Sequence, residues 1–194
     1  MNNRAAATAA ITLTALLALA GCAGTTVGGP GNMPGMGSSA SPAADVNNAD
    51  MQFTMMMIPH HEQAVEMADM ILGKDGIDER VATMAEQIKA AQGPEIELME
   101  SWLDDWGTPM GDMDGMDHGG MMSDTDMQAL EDATGAEASR VFLEQMIVHH
   151  EGAIEMAQTE VDNGRNADVI ALAEAIIASQ TTEITTMEDI LATL

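Results

Sequence analysis

The chain has 194 residues and sets 6 Lys and Arg against 32 Asp and Glu, a formal net charge of −26. So few cations cannot neutralise a phosphate backbone, which excludes nucleic acid as a partner and leaves metal ions and other cations as charge-matched ligands. Aromatics are scarce, with two Phe, two Trp and no Tyr, whereas Met occurs 20 times; a pliable thioether core and a soft-metal protein both account for that exchange.

Residues 1–21 read as an export signal: Arg4, an apolar run from Ala5 to Ala20, then small residues. The run is shorter than the ~20 residues that span a ~30 Å hydrocarbon core. Leu19, Ala20, Gly21 and Cys22 resemble the bacterial lipoprotein box, which implies that Cys22 is lipidated and anchors the chain at the cell membrane, extracytoplasmically. Cys22 is also the single cysteine, so no thiol remains for a disulfide, a nucleophile or a metal thiolate. Residues 22–46, rich in Gly, Ser, Pro and Thr with Met33 and Met36, read as a flexible tether.

Beyond the tether the chain repeats itself. Met57 to Ala68, MIPHHEQAVEMA, aligns with Met146 to Ala157, MIVHHEGAIEMA, at nine of twelve positions. Ala85 to Met99 aligns in turn with Ala173 to Met187. All four segments carry helical period. In the first, Phe53, Met57, His60, Ala64, Met67 and Ile71 form one stripe, with Asn47 or Asn48 as its cap and Gly73 as its end. Phe142, Met146, His149, Ala153 and Met156 repeat the stripe up to Asn163 and Gly164. The partner helices run from about Asp78 to Trp106, with a kink expected at Gly93 and Pro94, and from about Asn166 to Thr193.

Such stripes are buried only against one another, giving an all-α, ferritin-like four-helix bundle over 47–194: a first repeat at 47–106, a Met-rich connection at 107–134 and a second repeat at 135–194. The connection is long enough to cross the bundle, and Asp124 to Ala133 has the pattern of a short extra helix.

The chemistry-bearing residues lie on the stripes. Helical spacing puts His60 and His149 near the stripe centres and His61 and His150 at the edges, with Met57 and Met67, and Met146 and Met156, on the same faces. Either a lone His or a Met stripe alone is ordinarily core; their duplicated coincidence points to metal, and neutral imidazole with thioether suits Cu(I). Gln92 and Glu95, with Gln180 and Glu183, face the same interior, where the glutamates can orient the histidines. The connection adds Met110, Met113, Met116, His118, Met121 and Met122 in a Gly and Asp background with no core to fill, a pattern suited to capturing Cu(I) or Ag(I).

The duplicated Met-Ile-x-His-His-Glu segment, the Gln-x-x-Glu-Ile partner helix and the WLDDWG ending resemble a ferritin-like bacterial family of long-unknown function that includes the CopM-type periplasmic copper-binding proteins. The resemblance covers about Asp45 to Leu194. It implies an envelope bundle that binds copper through Met57, His60, His61, Met67, Met146, His149, His150 and Met156. The resemblance also implies that Asp50, the family's Asp ahead of the His pair, supports the histidine ligands from behind; the second copy has Ser139 there, which implies unequal half-sites.

Three functions are compatible with these residues. The leading one is a lipid-anchored copper-binding protein for buffering, tolerance or delivery to an unidentified transfer partner, and not an enzyme. A di-iron or dimanganese oxidase is the second, weakened because iron bundles use Glu-x-x-His motifs and four inward glutamates, while Glu62 and Glu151 here fall on the solvent side. The third is a metal-free interaction module with a buried hydrogen-bond network.

Overall fold

The computed structural model describes residues 45–108 and 119–194. The proposed lipidation site Cys22, the tether methionines Met33 and Met36, and Met110, Met113, Met116 and His118 lie outside the described residues. The described chain is all-helical: α1 (Asn48–Leu72), α2 (Glu79–Trp106), α3 (Asp124–Asp132), α4 (Gly135–Asn163) and α5 (Ala167–Leu191). No helix among these is long and apolar enough to cross a membrane.

Side chains with an acceptor placed just ahead of the stripe set the starts of α1, α2 and α5, whereas Thr134 ahead of α4 makes no such bond. Asn47 accepts from the backbone N–H of Ala49 and Asp50, and the Asp50 carboxylate accepts in return from Asn47 N at 2.6 Å, closing a capping box on α1. Asp78 caps α2 through Arg80 N, and Asn166 caps α5 through Asp168 N and Val169 N. Gly107, at φ 65°, ends α2 in the left-handed region that glycine enters without strain. Gly93 and Pro94 do not end α2, which runs on through both; Pro94 is exposed.

Each repeat folds as an antiparallel pair, α1 on α2 and α4 on α5, and the pairs join where α1 packs on α4. Membership of the apolar core shows that α1 and α4 run antiparallel: Phe53 and Met57 share one cluster with Ala153 and Ala157, while Ala64 and Met67 share the other with Phe142 and Met146. Buried Met84, Ile88 and Met187 complete the second group, and Met99, Leu103 and Ile176 the first. At about 1.5 to 3 kcal/mol for each fully buried large apolar side chain, this packing is the main term holding the bundle. The expected extra helix exists as α3, which packs on both α1 and α4. Lys74 Nζ donates to the carbonyls of Glu131 and Ala133, and Gln145 Nε2 to that of Asp126, fixing α3 at both ends.

Candidate metal centre

Between the two apolar clusters lies a polar layer. His60, His61, His149 and His150 are all fully buried. His60 and His149 meet across the α1–α4 interface with ring centroids 3.7 Å apart and planes inclined by 39°. Burial, reinforced by the neighbouring imidazoles of His60, His150 and His61, holds the His149 pKa well below the usual histidine value, so this ring is neutral at pH 7.

The outer histidines each take a carboxylate from the partner helix of their own repeat. His61 Nε2 lies 2.8 Å from Glu95 Oε2, and His150 Nε2 lies 2.6 Å from Glu183 Oε2. With the carboxylate accepting, Nε2 carries the hydrogen and Nδ1 keeps its lone pair. Nδ1 of His61 and of His150 is buried and meets no hydrogen-bond partner. A buried ring nitrogen without a donor costs free energy unless something accepts its lone pair, and a metal cation does so. Gln92 and Gln180 are buried at the same level, and their side-chain oxygens also lack partners.

The thioethers flank this layer on both sides. Met57 is buried in one cluster; Met67 and Met146 are buried in the other. Met156 departs from the expected stripe: it is only half-buried. The groove beyond Gly152 opens there into a cavity of about 300 Å³, lined by Phe53, Met56, Met156 and Glu160 among others. Among the described residues no three His, Cys, Asp or Glu side chains converge as a metal cluster. Glu62 and Glu151 are exposed, as expected. The carboxylate cage of a di-iron centre is therefore missing from the described residues.

Asp50 does not belong to this layer, contrary to expectation. It lies ten residues before His60, about 15 Å along the helix axis. Its fully buried carboxylate accepts from the N–H of Arg165 at 2.9 Å and of Asn166 at 2.8 Å, joining the start of α1 to the α4–α5 turn. Ser139 holds the equivalent place in the second repeat, its Oγ accepting from Asp78 N at 3.0 Å in the α1–α2 turn. The Asp-to-Ser departure thus alters a tie between repeats and leaves the two His–Glu pairs alike. Nor is the connection wholly without a core: Met122 packs against the apolar cluster containing Met67 and Met146, while Met121 is half-buried.

Glu160, which helical spacing does not single out, is 1% exposed and occupies the place that Ile71 holds in the first repeat. Burial, and then the hydrogen bond to the Asp50 carboxylate, raise its pKa to about 8. The same burial works to raise Asp50, but hydrogen bonds from Asn47, Arg165, Asn166 and Glu160 outweigh it and hold that carboxyl below the ordinary value. The substitution of Glu for Ile at the end of an apolar stripe was the available signal.

Fold and site together define a helical bundle with four buried histidines, two of them paired in mirrored fashion with half-buried glutamates, bordered by thioethers. The chain belongs to the family described as "Domain of unknown function (DUF305)", whose sequence profile matches residues 50–191. A DUF305 protein from Streptomyces coelicolor is similar at 34% identity and TM-score 0.70, over 74% of this chain and 91% of the other. A DUF305 fragment from Deinococcus radiodurans is similar at 32% identity and TM-score 0.71, over 77% and 99%. CopM in its Cu(I)-bound form is similar at 33% identity and TM-score 0.63, over 72% and 93%. CopM structures also exist in Cu(II)-bound and Ag-bound forms. No curated protein matches the chain.

Proposed function

We propose that this protein binds copper outside the cytosol, held at the membrane through lipid on Cys22, and serves in buffering, tolerance or delivery of Cu(I), with Ag(I) as a second ligand. The observation that carries the reading is the mirrored pair His61–Glu95 and His150–Glu183, each leaving a buried Nδ1 without a partner beside a methionine-lined core. Neutral imidazole and thioether are the ligands a soft monovalent ion selects, and neither needs a carboxylate in the inner sphere. The similarity to CopM, solved with Cu(I) and with silver, supports the same ligand class. The export signal, and a Streptomyces coelicolor relative provisionally described as secreted, support the location.

The ligand set proposed for the bundle is Met57, His60, His61, Met67, Met146, His149, His150 and Met156, with the connection methionines and His118 as a capture segment. Metal bound after exposure to Cu(I), Cu(II), Ag(I), Fe(II) and Mn(II) tests this, in the whole chain and in a variant with all four bundle histidines changed to Ala. Cu(I) uptake that falls in the variant supports the reading. Uptake of two irons with oxygen consumption would instead favour an oxidase, and no uptake of any metal would leave the buried layer a structural network.

A further inference from the structure

The two repeats differ at three of the twelve positions in their histidine segments, and one of these differences has a structural reason. Gln63 of α1 stands where α4 has Gly152. Both residues touch the same piece of the connection. Gln63 Nε2 donates to the Met122 carbonyl at 2.9 Å, and Gln63 Oε1 accepts from Met122 N at 2.7 Å, so the side-chain amide pairs with the backbone as a neighbouring strand would. On the other side, Gly119 and Gly120 lie directly on Gly152. A Cβ at Gly152 would come within 2.6 Å of Gly120 Cα, and one at Gly120, whose φ is +84°, within 2.7 Å of Gly152 Cα.

The placement relative to the histidines follows from helix geometry. Gln63 and Gly152 lie one turn beyond His60 and His149 respectively. Because α1 and α4 are antiparallel, one contact falls on each side of the His60–His149 level, about 9 Å apart along the axis at 1.5 Å per residue. An extended backbone from residue 120 to 122 covers about 7 Å. The segment therefore crosses the α1–α4 groove obliquely over the histidine level. At about 100° per residue, Gln63 projects to one side of His60, and His61, which bonds α2 through Glu95, to the other.

We propose that Gln63 and Gly152 dock residues 119–122 as a strap across the α1–α4 groove, and that the docked strap controls exchange of metal between solvent and the histidine layer. This rests on the copper reading. Gln63 is a positioning residue: it fixes the strap, and with it Met121 and Met122, against the groove.

Two variants release the strap by different means. Gln63→Ala removes both hydrogen bonds, and Gly152→Ala places a methyl where the strap backbone lies; both favour the helix, so the bundle remains folded. With the Cu(I)-loaded whole chain and excess bathocuproine disulfonate as competing chelator, Gln63→Ala releases Cu(I) about 10- to 30-fold faster, the effect of losing two hydrogen bonds, and Gly152→Ala also releases it faster. Hydrogen exchange at the Met122 amide, measured without metal, is faster in both variants. Equal exchange at Met122 overturns the docking. Faster exchange with unchanged Cu(I) release overturns the control of access. A wild-type chain that takes up no Cu(I) overturns the copper reading and the access role with it, and Met122 exchange alone then decides whether the strap is docked.

Discussion

His61 and His150 hold the same relationship to a glutamate in the two halves of the molecule, at 2.8 Å to Glu95 and 2.6 Å to Glu183, each from the partner helix of its own repeat. The duplication has therefore kept a carboxylate that orients an imidazole while changing the residues around it. Such a carboxylate fixes the orientation of its imidazole, since a ring that turns loses the direction of its lone pair.

Glu95→Gln and Glu183→Gln retain size and one acceptor but remove the charge that fixes the tautomer. Each lowers Cu(I) affinity by about 10- to 100-fold, the usual cost of losing an orienting carboxylate. Competition titration against a Cu(I) chelator measures this, with circular dichroism confirming unchanged helix content.

The thioethers separate packing from ligation. Met57→Leu or Met146→Leu conserves volume at a buried position and costs under about 1.5 kcal/mol of stability. The same changes weaken Cu(I) and Ag(I) binding, because Leu offers no lone pair. Thermal melts and metal titrations on one sample distinguish the two effects, and a melt that collapses while affinity holds would assign these residues to the core alone.

Asp50 and Ser139 test the tie between repeats. Asp50→Ala strands the N–H groups of Asn47, Arg165 and Asn166 and destabilises the bundle by about 2 to 4 kcal/mol, while Ser139→Ala costs about 1 kcal/mol. Denaturant titration gives both numbers. Copper affinity of the folded Asp50→Ala protein is unchanged, since the carboxylate is far from the histidines.

The pH dependence follows from Glu160. Its folded pKa, about 8, lies above the ordinary glutamate value of 4.5, so the folded state holds the proton more tightly than the unfolded chain. The stabilisation is complete below about pH 4.5 and is lost as pH rises towards 8. Asp50, held below the ordinary value of 3.8, acts in the opposite sense: its contribution is present above that value and lost as pH falls through its lowered folded pKa. Glu160→Gln, neutral at every pH, flattens the alkaline limb and stabilises the protein at pH 9 by on the order of 2 kcal/mol relative to wild type. Melting temperatures of both proteins from pH 5 to 9 check this.

The helices were legible in the sequence because their limits are chemical: Asn47, Asp78 and Asn166 offer capping oxygens directly ahead of the stripes of α1, α2 and α5, and Gly73 and Gly164 end α1 and α4. The histidine layer was legible because the repeat placed two identical stripes together. What sequence spacing did not reveal depends on contacts between distant segments. Asp50 has helical spacing to the histidines, but its partners are 115 and 116 residues away. Gln63 is ordinary on a helical wheel and acquires its role only where the connection crosses α1. Glu160 continues an apolar stripe, and only the position of Asp50 shows how a carboxyl is held there.

X-ray absorption at the copper edge reads the ligand shell of the Cu(I)-loaded protein and decides whether the histidine layer holds the metal. Copper bound there gives mixed nitrogen and sulfur scatterers in the wild-type chain, and the nitrogen shell is lost when His60, His61, His149 and His150 are changed to Ala. An unchanged shell in that variant, or a wild-type shell of oxygen alone, would contradict binding in that layer.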